Sequence, residues 1–425
     1  MRRKDLDVDL RRLRRSAALA GIGDGVIAVA LPLLTASVTR DPLDVASVFA
    51  AQHVPWLLVA LLRTRLGARI DRRTTVGLGD TVRAVALGYL GLQALVGEQT
   101  LFLLQLVAFA VGIGEALTDD AEGTATADLP SGPKASAPST RTAVTGMAAL
   151  ALIGLPIGGF LYEVLAAVPP LVDVLPFAFA ALFALSLRRR IVPAVPASPE
   201  PSRPTLLPGT GPVILAAAVV SALSSAVLGV LVLFALDDLG LGAPAFGALL
   251  AGLAVAGGIG GLLAPEVGHL LGLRTTATLA LLAAGGGVAG ASLVADPVSP
   301  YPAVLALAVA TGSAAIAVVI LRALLHSRAG RTVPIAGLDP LHVAVWGAIP
   351  LGALAGGAIA SSTGVADLYL YLGAATAAVG VAAAALRPSP RPADNRLTPV
   401  GAPWSDAKER RATPGTSTPE GGVIR

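Results

Sequence analysis

Four ionisable side chains, Asp24, Asp80, Arg83 and Glu115, interrupt otherwise apolar runs of this sequence. A charge held in hydrocarbon costs at least ~2.5–3.5 kcal/mol on insertion scales, so such residues face a protein interior and take partners there. Low dielectric favours the neutral form of a carboxyl, and a guanidinium beside it favours the ionised form. A carboxyl whose distance to a guanidinium changes can therefore load and release a proton. Asp24 and Glu115 are the first candidates for that chemistry and Asp80 the third, with Arg83 the modulating cation. Asp80 and Arg83 stand three residues apart and so on one helix face. The competing reading is a static Asp80–Arg83 pair that fixes a gate, with Glu115 hydrogen-bonded to a neighbouring helix.

The elements that must position these groups are membrane helices. A span needs about 20 mostly apolar residues. Twelve such stretches are legible, at about 16–38, 43–64, 76–97, 101–121, 142–164 and 170–187, then 211–236, 243–265, 275–295, 301–325, 337–361 and 366–386. Hydrophobic residues make up 54%, charged residues 14%, and the mean hydropathy is +0.75, too apolar for a soluble domain of this length. The expected fold class is all-α integral membrane: twelve transmembrane helices in two pseudo-symmetric six-helix bundles. A basic segment, 1–15, precedes the first bundle, 16–187. A Pro- and Ser-rich linker, 188–210, joins it to the second bundle, 211–386, and a polar tail, 387–425, is expected to be disordered.

Arginine marks alternate gaps. Arg11 to Arg15, Arg63 to Arg73, Arg188 to Arg190, Arg274, Arg322 to Arg331 and Arg387 to Arg396 fall on one side, while Asp44, Glu98, Glu163, Asp237, Asp296 and Asp367 fall on the other, with Arg40 the lone exception. Lys and Arg near span ends are retained on the cytoplasmic side, so both termini are expected inside, at the inner (plasma) membrane. The pI of 9.7 then reflects positive loops facing anionic lipid rather than nucleic acid. There is no cysteine and hence no disulfide, and the four histidines lack metal-ligand spacing. No nucleophile–base pair or nucleotide loop is recognisable, so neither an enzyme nor a cofactor site is expected. The basic start resembles a signal peptide without a cleavage site and reads as the first retained helix.

Small residues and prolines recur in the fifth span of each half: Gly154, Pro156, Gly158 and Gly159 in one, Pro350 and Gly352 in the other. Such residues bend a helix and admit a neighbour's backbone closely, as expected for halves related about the membrane normal. The glycines of the eighth span, Gly252, Gly257, Gly258, Gly260 and Gly261, read as close helix packing. Trp56 and Trp346 lie deep in the second and eleventh spans, as cavity lining or as plain packing. Tyr162, Tyr301, Tyr369 and Tyr371 read as interfacial anchors. Asp119 and Asp120 could pair with Arg69, Arg72 or Arg73 across the cytoplasmic face, or form a solvated loop. Arg322 completes the charged groups of that face, with snorkelling to headgroups as its alternative.

The stretches Gly23-Asp24-Gly25-Val26, Val54-Pro55-Trp56-Leu57-Leu58, Asp80-Thr81-Val82-Arg83-Ala84, Gly112-Ile113-Gly114-Glu115-Ala116 and Leu155-Pro156-Ile157-Gly158-Gly159 carry a resemblance. They look like the drug and siderophore exporter branch of the major facilitator superfamily, the enterobactin-exporter-like "transmembrane secretion effector" proteins. The second half echoes it more weakly in Leu321-Arg322, Gly330-Arg331 and Trp346-Gly347-Ala348. The resemblance implies a monomeric secondary transporter that exports small amphipathic molecules by alternating access in exchange for protons. Its partners would be the substrate, protons and membrane lipid. The family's latch loop after the second span, Gly-x-x-x-Asp-Arg-x-x-Arg-Arg, is matched here only in a shifted register, Gly67-Ala68-Arg69-Ile70-Asp71-Arg72. The asparagine-containing segment after the fourth span is replaced by Leu129 to Pro138. That departure keeps a second class open: a degenerate, non-transporting member that senses or scaffolds at the membrane.

Overall fold

The computed structural model describes residues 3–66, 72–127, 146–186, 211–329 and 340–385. They form helices only. In the first half these are α1 (Arg3–Val38), α2 (Pro42–Leu66), α3 (Arg72–Val96), α4 (Leu101–Ala127), α5 (Gly146–Val164) and α6 (Val168–Ser186). In the second half they are α7 (Gly211–Gly229), α8 (Ala243–Leu271), α9 (Leu273–Leu293), α10 (Tyr301–Ala329), α11 (Pro340–Thr363) and α12 (Val365–Ala385). After α7 the chain stays helical through Leu231–Leu233 and a π-turn, Phe234–Asp238. The protein is thus an all-helical, multi-pass membrane protein.

Among the described residues, nine of these helices are long and apolar enough to cross a membrane. In α3 the apolar run is interrupted by Asp80 and Arg83.

Short connections put α1–α2, α3–α4, α5–α6, α7–α8, α9–α10 and α11–α12 together at one end, here the hairpin end; the chain begins at the opposite, terminal end. The α11–α12 turn is the single residue Gly364, whose φ of 96° is a left-handed conformation that suits glycine past a helix end. Within the first half, α3 packs on α4 and α6, α2 on α4, and α1 on α5 and α6. The halves meet along two seams, α2 with α11 and α5 with α8. The largest buried apolar cluster straddles both halves, joining Val29, Leu33, Val45 and Leu155 to Leu233, Phe234, Phe246, Leu307 and Tyr369.

Glycines set the helix separations. A Cβ built on Gly154 would collide with the α1 backbone at Ile22 and lie 2.8 Å from Gly25 Cα; one on Gly158 would lie 2.8 Å from Val26 O. Gly159, on the adjoining face, meets Ala243 and Pro244 of α8. In the second half Gly352 and Gly356 meet Ala222 and Ala226 of α7, while Gly357 meets Pro42, Leu43 and Ala46 of α2. The glycines therefore correspond as Gly154 to Gly352, Gly158 to Gly356 and Gly159 to Gly357. That register differs from the Pro-aliphatic-Gly alignment of the sequence by four residues, about one turn. Pro156 follows a π-turn, Leu150–Gly154, in which Leu155 N–H donates to Leu150 O, so the widened turn takes up the proline's missing donor.

Two expectations are corrected here. Of the five glycines singled out in α8, only Gly260 makes a tight backbone approach, to Gly312; a Cβ on Gly252, Gly258 or Gly261 would meet nothing within 4 Å. Helix composition allowed close packing there, but the neighbouring helices lie against other faces of α8. Tyr369 is fully buried, stacked on Phe234 with ring centroids 4.3 Å apart and its hydroxyl donating to Val227 O at 3.1 Å, so it is a core residue and not an anchor. Tyr162 is half-buried and donates to Leu33 O, whereas Tyr301 and Tyr371 are exposed as anchors require.

Candidate functional site

Arg83 is the centre of the site. Its Nη1 lies 3.1 Å from Asp24 Oδ1 and 3.7 Å from Asp80 Oδ1, and its side chain is 3% exposed. The guanidinium sits over the ring of Phe177 on α6, 5.0 Å from the centroid. Asp80 and Asp173 are each 1% exposed. Glu115 accepts a hydrogen bond from Gln52 Nε2 at 2.9 Å, and Glu115, Asp24, Asp80 and Asp173 all act electrostatically on Arg83. Four carboxyls thus share one fixed cation, an arrangement whose charge cannot balance unless carboxyls take up protons.

Local sequence builds this cluster. The segment Gly112-Ile113-Gly114-Glu115 turns one glycine to each neighbour. Gly112 abuts the backbone of Gln52 on α2, and Gly114 abuts Gly79 and the Arg83 stem on α3. These close approaches bring Gln52 to Glu115 and Arg83 between α1, α3 and α4. On α1, Gly23 leaves room for Asp173: a Cβ there would lie 2.6 Å from Asp173 Oδ1 and 3.0 Å from the Phe177 ring. Counted at ~1.5 Å per residue, Asp24, Arg83 and Glu115 all lie roughly 20 Å from the hairpin-end termini of their helices. They occupy one level, nearer the terminal end than the hairpin end of the spans.

Asp24 and Glu115 are only partly buried, unlike Asp80 and Asp173. The Asp24 side chain keeps 28% exposure, and α1 is packed among α2, α4, α5, α6 and α8. That opening therefore leads to the bundle interior rather than to lipid. At the same depth Trp56 and Trp346 stack across the α2–α11 seam, centroids 4.0 Å apart and planes at 10°, with His342 tilted against Trp346. They are packed on each other rather than spread around a cavity. Above them, toward the hairpin end, Gly357 against α2 and Gly159 and Gly247 against the partner helices close both seams. There Arg40 donates to Asp237 at 2.9 Å, and Ser361 bonds with Leu43 N and Asp41 Oδ1.

Sequence reasoning found Asp24, Asp80, Arg83 and Glu115, which the structure brings together. It missed Asp173, Gln52 and Phe177. The Asp80–Arg83 contact of the competing static reading is present at 3.7 Å, with Asp24 nearer at 3.1 Å. Arg322 is exposed on α10 in the other half, apart from this cluster. Arg69 and Asp71 lie outside the described residues, as do the side chains of Arg72, Arg73, Asp119 and Asp120. The latch loop, the 128–145 segment, the linker 188–210 and the tail 387–425 lie outside them as well.

Known proteins share this architecture. A bacterial homologue of the iron transporter ferroportin, in its inward-facing state, superposes with a TM-score of 0.67 at 16% identity, covering 90% of this chain and 98% of its own. Its outward-facing state gives 0.58 at 16% identity, covering 89% and 98%. The nucleoside transporter NupG gives 0.67 at 13% identity, covering 89% and 98%. No curated protein sequence matches the chain significantly. The family model described as Major Facilitator Superfamily matches residues 16–337, most of the chain and both halves, and its solved neighbours are transporters rather than enzymes. The chain belongs to the Major Facilitator Superfamily.

Proposed function

We propose that the protein is a secondary active transporter of the drug and siderophore exporter branch. It moves small amphipathic molecules out across the inner membrane by alternating access, in exchange for protons. The terminal end, with both chain termini, faces the cytoplasm, and the hairpin end faces outward. The observation that carries this reading is the buried Arg83 among four carboxyls, of which Asp24 and Glu115 are only partly buried and Asp24 is the nearest to the guanidinium. Protonation of Asp24 would release Arg83, and deprotonation would recapture it. An interior with few polar groups and an indole pair at the level of Asp24 suits amphipathic cargo. The seams closed at the hairpin end, and the better superposition on an inward-facing relative than on its outward-facing form, support a state open to the cytoplasm. The solved neighbours include a homologue of an iron transporter and a nucleoside transporter, so the fold alone does not choose the cargo. Among the described residues no set of three His, Asp or Glu converges to hold a metal ion.

Inside-out vesicles given a panel of fluorescent cations, macrolides and siderophores test the proposal, with and without an uncoupler. The expected result is uncoupler-sensitive accumulation that Asp24→Asn abolishes while expression persists. For one-for-one exchange each pH unit across the membrane supports about tenfold accumulation, equivalent to ~1.4 kcal/mol. Gradient-driven accumulation that survives in Asp24→Asn would remove Asp24 from the coupling path.

A further inference from the structure

Asp173 is a buried carboxyl for which the exchange between Asp24 and Arg83 has no use so far. It is 1% exposed, and neither oxygen has a hydrogen-bond partner. A carboxylate left in that condition is strongly disfavoured, whereas its neutral acid is tolerable. Oδ1 overhangs the bare Cα of Gly23, next in sequence to Asp24. Phe177, one turn further along α6 and so on the same face, carries the Arg83 guanidinium. Arg83 Nε is itself buried without a hydrogen-bond partner. An unused donor and an unused acceptor thus stand in one small cluster, within electrostatic reach of each other.

We propose that Asp173 is a second proton-binding site, the alternate counter-ion of Arg83. In the present state Arg83 is held by the Asp24 carboxylate and Asp173 keeps its proton. When Asp24 takes a proton from the open interior, the guanidinium swings across the Phe177 face to Asp173, whose proton leaves. One proton is bound and one released, and the cluster's net charge is unchanged. The groups facing Asp173 are Asp24 from α1 and Arg83 from α3, with Asp80 of α3 and Glu115 of α4 on Arg83. The titratable groups of α5, Tyr162 and Glu163, sit at its hairpin end. This inference rests on the proton-exchange reading above, and its test needs no transported substrate, so the two can fail separately.

The test is infrared spectroscopy of the full-length protein in lipid nanodiscs, following the C=O stretch of protonated carboxylic acids and its shift in D2O at neutral pH. The wild type is expected to show a component that Asp173→Asn loses and Asp173→Glu displaces. Asp24→Asn is expected to lose the same component, because Arg83 then turns to Asp173; its spectrum and that of the double variant should coincide in this region. A wild-type component that persists unmoved in Asp173→Asn, or in Asp173→Glu should the amide variant not fold, overturns the site. Survival of the component in Asp24→Asn overturns the exchange of partners.

Discussion

Replacing Gly114 by alanine tests whether the approach of α3 to α4 is what holds Arg83 on Asp24. The new Cβ would lie 2.6 Å from Arg83 Cγ, 2.8 Å from its Nε and 2.6 Å from Gly79 O. Ordinary contact begins near 3.4 Å, so the arginine stem and the α3 backbone must each give way by about 0.8 Å, in a packed interior that resists such shifts. The Arg83–Asp24 contact, now 3.1 Å, is then carried beyond hydrogen-bond distance. Overpacking of this kind costs ~1–3 kcal/mol. Alanine also gains up to ~1 kcal/mol over glycine in a helix interior. Gly252→Ala serves as the control, since a Cβ there meets nothing within 4 Å. The propensity gain is shared, so the difference between the two variants isolates the crowding. Purified protein would be unfolded by SDS in mixed micelles and followed by tryptophan fluorescence. Gly114→Ala should unfold at a lower SDS fraction than Gly252→Ala and lose uncoupler-sensitive accumulation. If it matches or exceeds the control in stability and keeps its pH dependence, the α3–α4 approach has slack and does not set the position of Arg83.

Three other perturbations probe the interface between the halves. Trp346→Ala removes one face of the indole stack, worth about 0.5–1.5 kcal/mol beyond area burial; acrylamide should then quench Trp56 more strongly, and unchanged quenching would show that the stack does not shield it. Gly357→Val places a branched side chain against Pro42, Leu43 and Ala46 and should part the hairpin end, seen as faster maleimide labelling of a single cysteine introduced at Ala36 in this cysteine-free chain. Equal labelling rates would refute that. Arg40→Gln removes an ion pair whose partners are 56% and 55% exposed, so it should change the unfolding midpoint by no more than ~1 kcal/mol equivalent and less at high salt; a large, salt-insensitive loss would mean the pair is a true lock.

The sequence made the buried charges visible because each one breaks an apolar run, and hydrocarbon makes every such break costly. It did not reveal their pairing. Asp80, three residues from Arg83, offered one pairing, and Asp24 and Glu115 offered others. The nearer carboxyl comes from α1, and its distance depends on how deeply Gly23, Gly112 and Gly114 let the helices sink together. Asp173 escaped notice because five residues from the start of a span is ordinarily the interface. Here α6 begins roughly 15 Å below the level that α1 reaches, counting ~1.5 Å per residue from Gly23 and from Asp173, so those five residues carry Asp173 to the level of Asp24. The relation between the halves was legible in composition but not in register. The prolines drew the eye, while the glycines, which touch equivalent partners, define the correspondence. Tyr369 looked like its exposed neighbour Tyr371, although alternate helix faces place one in the core and one outside.

The seams at the hairpin end are lined by bare backbone. Gly159 lies on Ala243, Gly247 on the Leu155 carbonyl and Gly357 on Pro42, with no long side chains interleaved at these points. At these three points there are no rotamers to re-sort when the halves separate, although the straddling cluster with Leu155, Phe234 and Phe246 must be uncovered as well. The glycine contacts themselves offer little mechanical friction: parting them resembles lifting two smooth plates rather than withdrawing a key. The waiting time for the halves to rock apart would then be governed by the charge state of the cluster below and by the wetting of exposed carbonyls, leaving the gate fast and its control electrostatic.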